Sequence, residues 1–144
     1  MGKRNVLFVC VHNSARSQMA EAFLIRYGST YFDAESAGIE PGVLNPTVVE
    51  SMREIGFDIS KNKTKNVLDF VEQDEKFHFV VTVCDEASAE RCPVFPGGAE
   101  RIHWSFKDPS SLTGSKEEEL VRIREIRDAI KKKVRQFIEE HSTT

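Results

Sequence analysis

The sequence predicts an α/β fold in three layers, α/β/α, built on a four-stranded parallel sheet. Apolar, β-branched runs of strand length alternate with segments of helical periodicity, the order that produces parallel pairing. Two of those runs, residues 5–10 and 77–83, are apolar on both faces, as strands covered on both sides must be. The 144 residues contain no internal repeat, low-complexity tract or Gly/Ser linker, so residues 1–144 are expected to form a single domain.

Each element follows from local pattern. Residues 5–10 (NVLFVC) read as the first strand. After a polar turn, residues 14–27 carry Met19, Ala20, Phe23 and Leu24 at helical spacing, and Gly28 is the stop. Residues 31–37 give the second strand. Residues 45–55 form a helix with Asn45 as its cap, Pro46 at the first position, where an N–H is not needed, and Gly56 behind it. A short helix over residues 66–71 precedes the third strand, residues 77–83 (FHFVVTV). Residues 84–92 are polar and stopped by Pro93, and residues 101–104 make the last strand. From Ser115 to about residue 140, Leu120, Ile123, Ile126, Ile130, Val134, Phe137 and Ile138 recur at three and four, giving a long amphipathic helix with a charged outer face.

Composition narrows the function. Forty per cent hydrophobic and 30% charged residues suit a globular protein, and a net charge of −3 gives no global field for nucleic acid or an acidic membrane. Any anion site must be built locally. The apolar run at residues 6–11 is too short for a signal peptide, and nothing approaches the roughly 18 apolar residues of a membrane span. A cytoplasmic location is expected, where three cysteines stay reduced unless they do chemistry. Cys84, Cys92 and His103 lack the short spacing of a metal site, and no metal or cofactor is expected.

Ligands of parallel sheets bind beyond the carboxyl ends of the strands, where Cys10 and Cys84 fall. The segment Cys10-Val11-His12-Asn13-Ser14-Ala15-Arg16-Ser17 joins the first strand to the first helix. A short loop entering a helix offers unpaired backbone N–H groups and the positive end of the helix dipole, a ready anion site. It favours a thiolate on Cys10 and can hold three oxygens of a tetrahedral anion over the sulfur. Arg16 brings a planar fork suited to two of those oxygens, and Ser17 can donate its hydroxyl proton to the sulfur. A buried structural thiol would not need Arg16-Ser17 at this offset, nor an Asn-containing loop between strand and helix.

The run from Val9 to Glu21 (VCVHNSARSQMAE) resembles the loop of the low-molecular-weight protein tyrosine phosphatase fold. More closely, it resembles that of the thioredoxin-coupled arsenate reductases built on it. The likeness extends through Ser36-Ala37-Gly38, Asn45-Pro46, Cys84, Cys92-Pro93, His103-Trp104 and Asp108-Pro109 into the last helix. The resemblance implies a phosphatase-like fold and reduction of arsenate to arsenite, with arsenate or a phosphate-like oxyanion as ligand. It also implies thioredoxin or a similar thiol reductant as partner, with weak phosphatase activity alongside. Cys10 is then the nucleophile, Arg16 and the backbone of residues 11–17 bind the oxyanion, and Asn13 and Ser17 shape the loop.

Two departures stand out: His12 replaces a small residue, and Ala15 stands where several relatives carry a second cysteine. His12 either adds charge beside the thiolate or points to solvent, and the sequence favours solvent. Asp108-Pro109 alone reads as a turn, but the resemblance makes Asp108 the general acid that protonates the leaving oxygen.

The resemblance also implies a relay. Cys84 attacks the Cys10 adduct, releasing arsenite and leaving a Cys10–Cys84 disulfide, and Cys92 then carries that disulfide outward to the reductant. A helix over residues 84–92 would hold the two Cα atoms ~12 Å apart, whereas a disulfide needs them within ~7 Å, so that segment must unwind. The spacing is one residue longer than relatives usually have. The alternative for these cysteines is a core thiol at 84 and a surface thiol at 92.

Some relatives bind potassium near the loop, and Asn13, Glu21 and Ser36 match three of its ligands. Around Thr64-Lys65 a lysine replaces the fourth, so its ammonium is expected in the cation's place, without potassium dependence. Two rival functions remain. One is a phosphatase acting on phosphotyrosine or small esters through Cys10 and Asp108, though Ser110 and Ser111 replace the tyrosines that flank an aryl substrate. The other is a non-catalytic oxyanion-binding module, for which a general acid and two further thiols have no use.

Overall fold

The computed structural model describes residues 3–72, 76–85, 89–92, 98–109 and 112–142. Elements follow in the order β1 (Arg4–Cys10), α1 (Arg16–Gly28), β2 (Phe32–Gly38), α2 (Pro46–Arg53), α3 (Val67–Glu72), β3 (Phe79–Thr82), β4 (Glu100–His103) and α4 (Lys116–His141). The four strands are all parallel, in the order β2-β1-β3-β4. The predicted three-layer architecture with a four-stranded parallel sheet is what forms.

The period-two alternation of strand side chains sorts the core. From β1, Val6, Phe8 and Cys10 enter the larger cluster, which α1, α2 and α4 complete with Met19, Phe23, Met52, Ile130 and Phe137. Leu7 and Val9 point the other way, into a smaller cluster with Ala37, Val67 of α3, Phe77, Val80 and Cys92. Because β1 is covered on both sides, its sequence is uniformly apolar instead of alternating.

Caps behave as the sequence predicts. Asn45 Oδ1 accepts from the N–H groups of Thr47 and Val48 at 3.0 and 3.3 Å, and Pro46 opens α2. Ser115 caps α4 by accepting from Glu118 N–H at 3.2 Å. α1 starts at Arg16, two residues later than its periodicity suggests, because Ser14 and Ala15 belong to the preceding loop, where Asn13 takes a left-handed φ of 54°. β3 is shorter than its apolar run, since Asn5 N–H is taken by His78 Nδ1 at 2.9 Å where the ladder would begin.

The strand order reverses between β1 and β3. β1 hands on to β2 at one edge, and the chain later returns on the other side of β1 to lay down β3 and β4. Such a switch point opens a crevice at the carboxyl ends of the two central strands. Cys10 closes β1 there, and Cys84 lies two residues beyond β3.

Candidate active site

The loop after β1 is held from outside by the segment that follows β2. Ile39, Glu40, Gly42 and Asn45 donate their N–H groups to the carbonyls of Cys10, Val11, His12 and Ser14, at 3.1, 2.7, 3.0 and 3.0 Å. With those carbonyls engaged on the outside of the turn, the amide side is turned toward the sulfur. Asn13 N–H lies 3.2 Å from Cys10 Sγ. α1 follows with no side chain capping its N-terminus, which leaves its first N–H groups and the positive dipole end for an anion.

Asn13 organises this turn. Fully buried, it donates through Nδ2 to Ser17 Oγ at 2.7 Å, and its Oδ1 accepts from Gln18 Nε2 at 3.1 Å and Lys65 N–H at 2.9 Å. Ser17 Oγ lies 2.9 Å from Cys10 Sγ, and it is the donor in that contact whenever the sulfur is an anion, since a thiolate can only accept. Two donors therefore converge on one sulfur, an arrangement that suits a sulfur anion.

Arg16 is buried, at 4% exposure, and so is not the solvated helix residue that a purely structural loop would carry. Its Nη1 donates to the Phe106 carbonyl at 3.1 Å, and its Nη2 lies 3.8 Å from Asp108 Oδ2. The guanidinium thus ties the β1 loop to the 106–108 segment, bringing Asp108 to the same crevice. Ser110 and Ser111 lie outside the described residues.

All three cysteines are reduced and all three are buried. Cys84 joins Cys10 in the larger cluster. Burial pushes the Cys84 thiol up to about 11, the Arg16 guanidinium pulls it down, and the charge of a Cys10 thiolate pushes it up further. Cys92 lies in the smaller cluster across the sheet, which overturns the reading of a surface thiol. Burial raises it as well, opposed by Arg101. Its turn is closed by hydrogen bonds from Ala89 N–H to Asp85 O at 3.0 Å and from Cys92 N–H to Ala89 O at 3.2 Å. Ser88 and Pro93 lie outside the described residues.

His12 faces away from the thiol chemistry. Its Nδ1 sits 2.8 Å from the Glu40 carbonyl, which can only accept, so Nδ1 carries the hydrogen and the exposed ring braces the 39–42 segment.

Glu21 is buried beneath the loop, where desolvation raises its carboxyl despite the opposing Lys65 charge and the Ser36 hydroxyl. Ser36 Oγ donates to Glu21 Oε1 at 2.8 Å, and Lys65 Nζ lies 3.4 Å from Glu21 Oε2 and 3.8 Å from Glu35 Oε2. The lysine therefore places its ammonium between the acids, where the sequence put it. Among the described residues, no group of three or more His, Cys, Asp or Glu is placed to hold a metal, and no helix is long and apolar enough to cross a membrane.

Gly38 is the residue that sequence reasoning quoted without seeing its use. A Cβ there would lie 2.8 Å from His12 C, 2.9 Å from Asn13 N and 2.9 Å from Val11 O, all of them backbone atoms of the loop. A glycine closing a predicted strand beside a predicted anion loop was the available signal.

The comparisons agree with this geometry. Residues 5–143 match the family described as low molecular weight phosphotyrosine protein phosphatase. The arsenate reductase of Halalkalibacterium halodurans is 41% identical over 141 residues, covering 96% of this chain and 98% of that protein. A solved arsenate reductase in its phosphate-binding state aligns with a TM-score of 0.73 and 26% identity, over 95% of this chain and 98% of the other. The thioredoxin-dependent arsenate reductase of Corynebacterium glutamicum aligns with a TM-score of 0.63 and 28% identity, over 93% of this chain and 63% of the other.

Proposed function

The chain belongs to the low molecular weight phosphotyrosine protein phosphatase family, and from that membership we propose that it is an arsenate reductase whose three thiols act in sequence. It reduces arsenate to arsenite at the expense of a thiol reductant. Thioredoxin is the reductant proposed here, in the reducing setting of the cytoplasm.

The Cys10 thiolate attacks arsenic while the amides of residues 11–17 and the Arg16 fork hold the oxygens. Asp108, beside that fork, protonates the departing oxygen, which leaves as water. Cys84 then attacks Cys10 Sγ. An S–S bond forms, the S–As bond breaks, and its electron pair stays on arsenic, taking As(V) to As(III). Cys92 attacks Cys84 Sγ in turn, the electron pair returns to Cys10 as a thiolate, and the external dithiol reduces the Cys84–Cys92 disulfide.

The observation that carries this reading is the convergence of Asn13 N–H at 3.2 Å and Ser17 Oγ at 2.9 Å on Cys10 Sγ, at the start of the helix whose buried Arg16 lies 3.8 Å from Asp108 Oδ2. Burial is the main upward push on the Cys84 thiol, a Cys10 thiolate adds to it, and Arg16 opposes it.

Arsenite production with thioredoxin, thioredoxin reductase and NADPH tests the scheme. Cys84→Ser and Cys92→Ser are each expected to lose sustained reduction while keeping any turnover of a small phosphate ester. Undiminished arsenite production in either variant would rule out the relay.

A further inference from the structure

The last thiol has to leave an apolar site and become a nucleophile, and no group in the oxyanion pocket is placed to help it. Cys92 is 5% exposed, packed among Leu7, Val9, Ala37, Val67 and Val80. On β2, Glu35 shares the face of Ala37 but is exposed and lies 3.8 Å from Lys65 Nζ, and on β4, His103 shares the face of Arg101 but is engaged with Thr82 Oγ1 at 2.7 Å. The acids of α3, Asp69 and Glu72, are exposed. On its own turn, Arg91 is engaged with Glu40 at 3.1 Å. Arg101 on β4 is placed differently. Arg101 is the register partner of Val80, and neighbours in parallel register project from the same face of a sheet, so Arg101 emerges on the face that holds Cys92. Its Nη2 donates to the Ala89 carbonyl at 3.4 Å, the same oxygen that accepts from Cys92 N–H at 3.2 Å.

We infer that Arg101 is a positioning residue for the third thiol: its guanidinium braces the 89–92 turn and supplies the positive charge toward which Cys92 gives up its proton. The role presupposes the relay proposed above. In that step the Cys92 proton passes to solvent, its sulfur bonds to Cys84 Sγ, and the Cys10–Cys84 bond breaks with its electron pair on Cys10. No electrons enter or leave, so the thiolate fraction of Cys92 sets the rate for a given accessibility. Among the described residues, Arg101 is the charge that opposes the upward push of burial on that thiol. Position and charge together distinguish this arginine from the other exposed cations of the chain.

The test is site-resolved alkylation of the reduced protein by iodoacetamide, read by peptide mass spectrometry between about pH 6 and about pH 10, in wild type, Arg101→Gln and Arg101→Lys. An arginine near a partly buried acid is worth about one pH unit at the low end of such effects. Arg101→Gln should therefore move the Cys92 midpoint upward and slow labelling near neutrality roughly 3- to 10-fold, with the high-pH plateau kept, while Arg101→Lys restores most of the midpoint. A midpoint that stays put overturns the inference, whether or not the plateau changes, because a brace alone alters access at every pH. In a single arsenate turnover, the Cys84–Cys92 disulfide should form more slowly in Arg101→Gln by the same factor, and an unchanged rate would also overturn it. Alkylation needs neither arsenate nor reductant. A wild type that makes no arsenite, with the midpoint still shifted in Arg101→Gln, would therefore remove the relay and leave the coupling of Arg101 to Cys92 in place.

Discussion

Gly38 closes β2 directly behind the oxyanion loop, and replacing it by alanine tests whether that loop's position limits the reaction. The added methyl would sit 2.8–2.9 Å from three backbone atoms of residues 11–13, where ordinary contact begins at 3.4 Å. Backbone cannot rotate aside as a side chain does, so the loop must retreat by about 0.6 Å. Gly38 is not in the left-handed region, so the whole cost is space and none of it is conformational. Overpacking of this kind costs about 1–3 kcal/mol of stability. A displacement near 1 Å at reacting atoms can cost about 100-fold in rate, so roughly tenfold is expected here. The assay is kcat/KM for arsenite formation, with phosphate inhibition and a thermal melt measured on the same preparation. Both kcat/KM and phosphate affinity should fall, because the same amides hold ligand and transition state. A folded Gly38→Ala protein with wild-type kcat/KM and phosphate affinity would refute the reasoning.

Cys84 carries a pH signature. Its folded value of about 11 lies above the ordinary thiol value of 9.0, so the stabilisation is fully present below pH 9 and is lost as pH rises toward 11. Denaturant melts across that window should show a decline of up to roughly 2 kcal/mol that Cys84→Ser removes in part, with Cys92 adding a fall of the same sign; an identical slope in the variant would contradict it. Lys65 makes a second prediction, since its ammonium already neutralises Glu21 and Glu35. Exchanging sodium for potassium at fixed ionic strength should leave activity flat, and Lys65→Asp should acquire a potassium response; activation of the wild type by potassium would show the ammonium does not substitute for the cation.

What could be read in the sequence was what local pattern determines. A both-face apolar strand, a polar turn with Cys10 and Arg16 six residues apart, and a helix behind it specify the anion loop without any tertiary knowledge. Of the two glycine stops, Gly28 is the last residue of α1, and α2 ends at Arg53, two residues before its expected end, with Gly56 turning the chain at a φ of 86°. The misses all depend on segments distant in the chain. The use of Gly38 requires knowing that β2 ends against the β1 loop. The Phe106 carbonyl meets Arg16 across 90 residues and carries no side-chain signal at all. Cys92 can be read as a surface thiol because residues 84–92 are largely polar, yet its side chain is taken up by a cluster assembled from β1, β2, β3 and α3. His12 could not be oriented from sequence because its partner is a backbone oxygen.

The separation of the two later thiols explains why the relay would need a mobile segment at all. Cys84 packs with α1 and α4 on one side of the sheet, and Cys92 with α3 on the other. A bond between them cannot pass through the sheet, so it has to form beyond the end of β3, where the strand stops at Thr82. Reaching there takes Cys92 out of its cluster and breaks the turn closed by Ala89 N–H to Asp85 O and Cys92 N–H to Ala89 O. Two exposed-turn hydrogen bonds at about 1 kcal/mol each and one small buried side chain add up to a few kcal/mol. That is small enough for disulfide exchange to drive and large enough to keep Cys92 home in the reduced enzyme. Moving that turn also pulls on the Arg91–Glu40 pair at 3.1 Å, and Glu40 N–H holds the Val11 carbonyl at 2.7 Å, so the step that moves the disulfide is felt at the oxyanion loop.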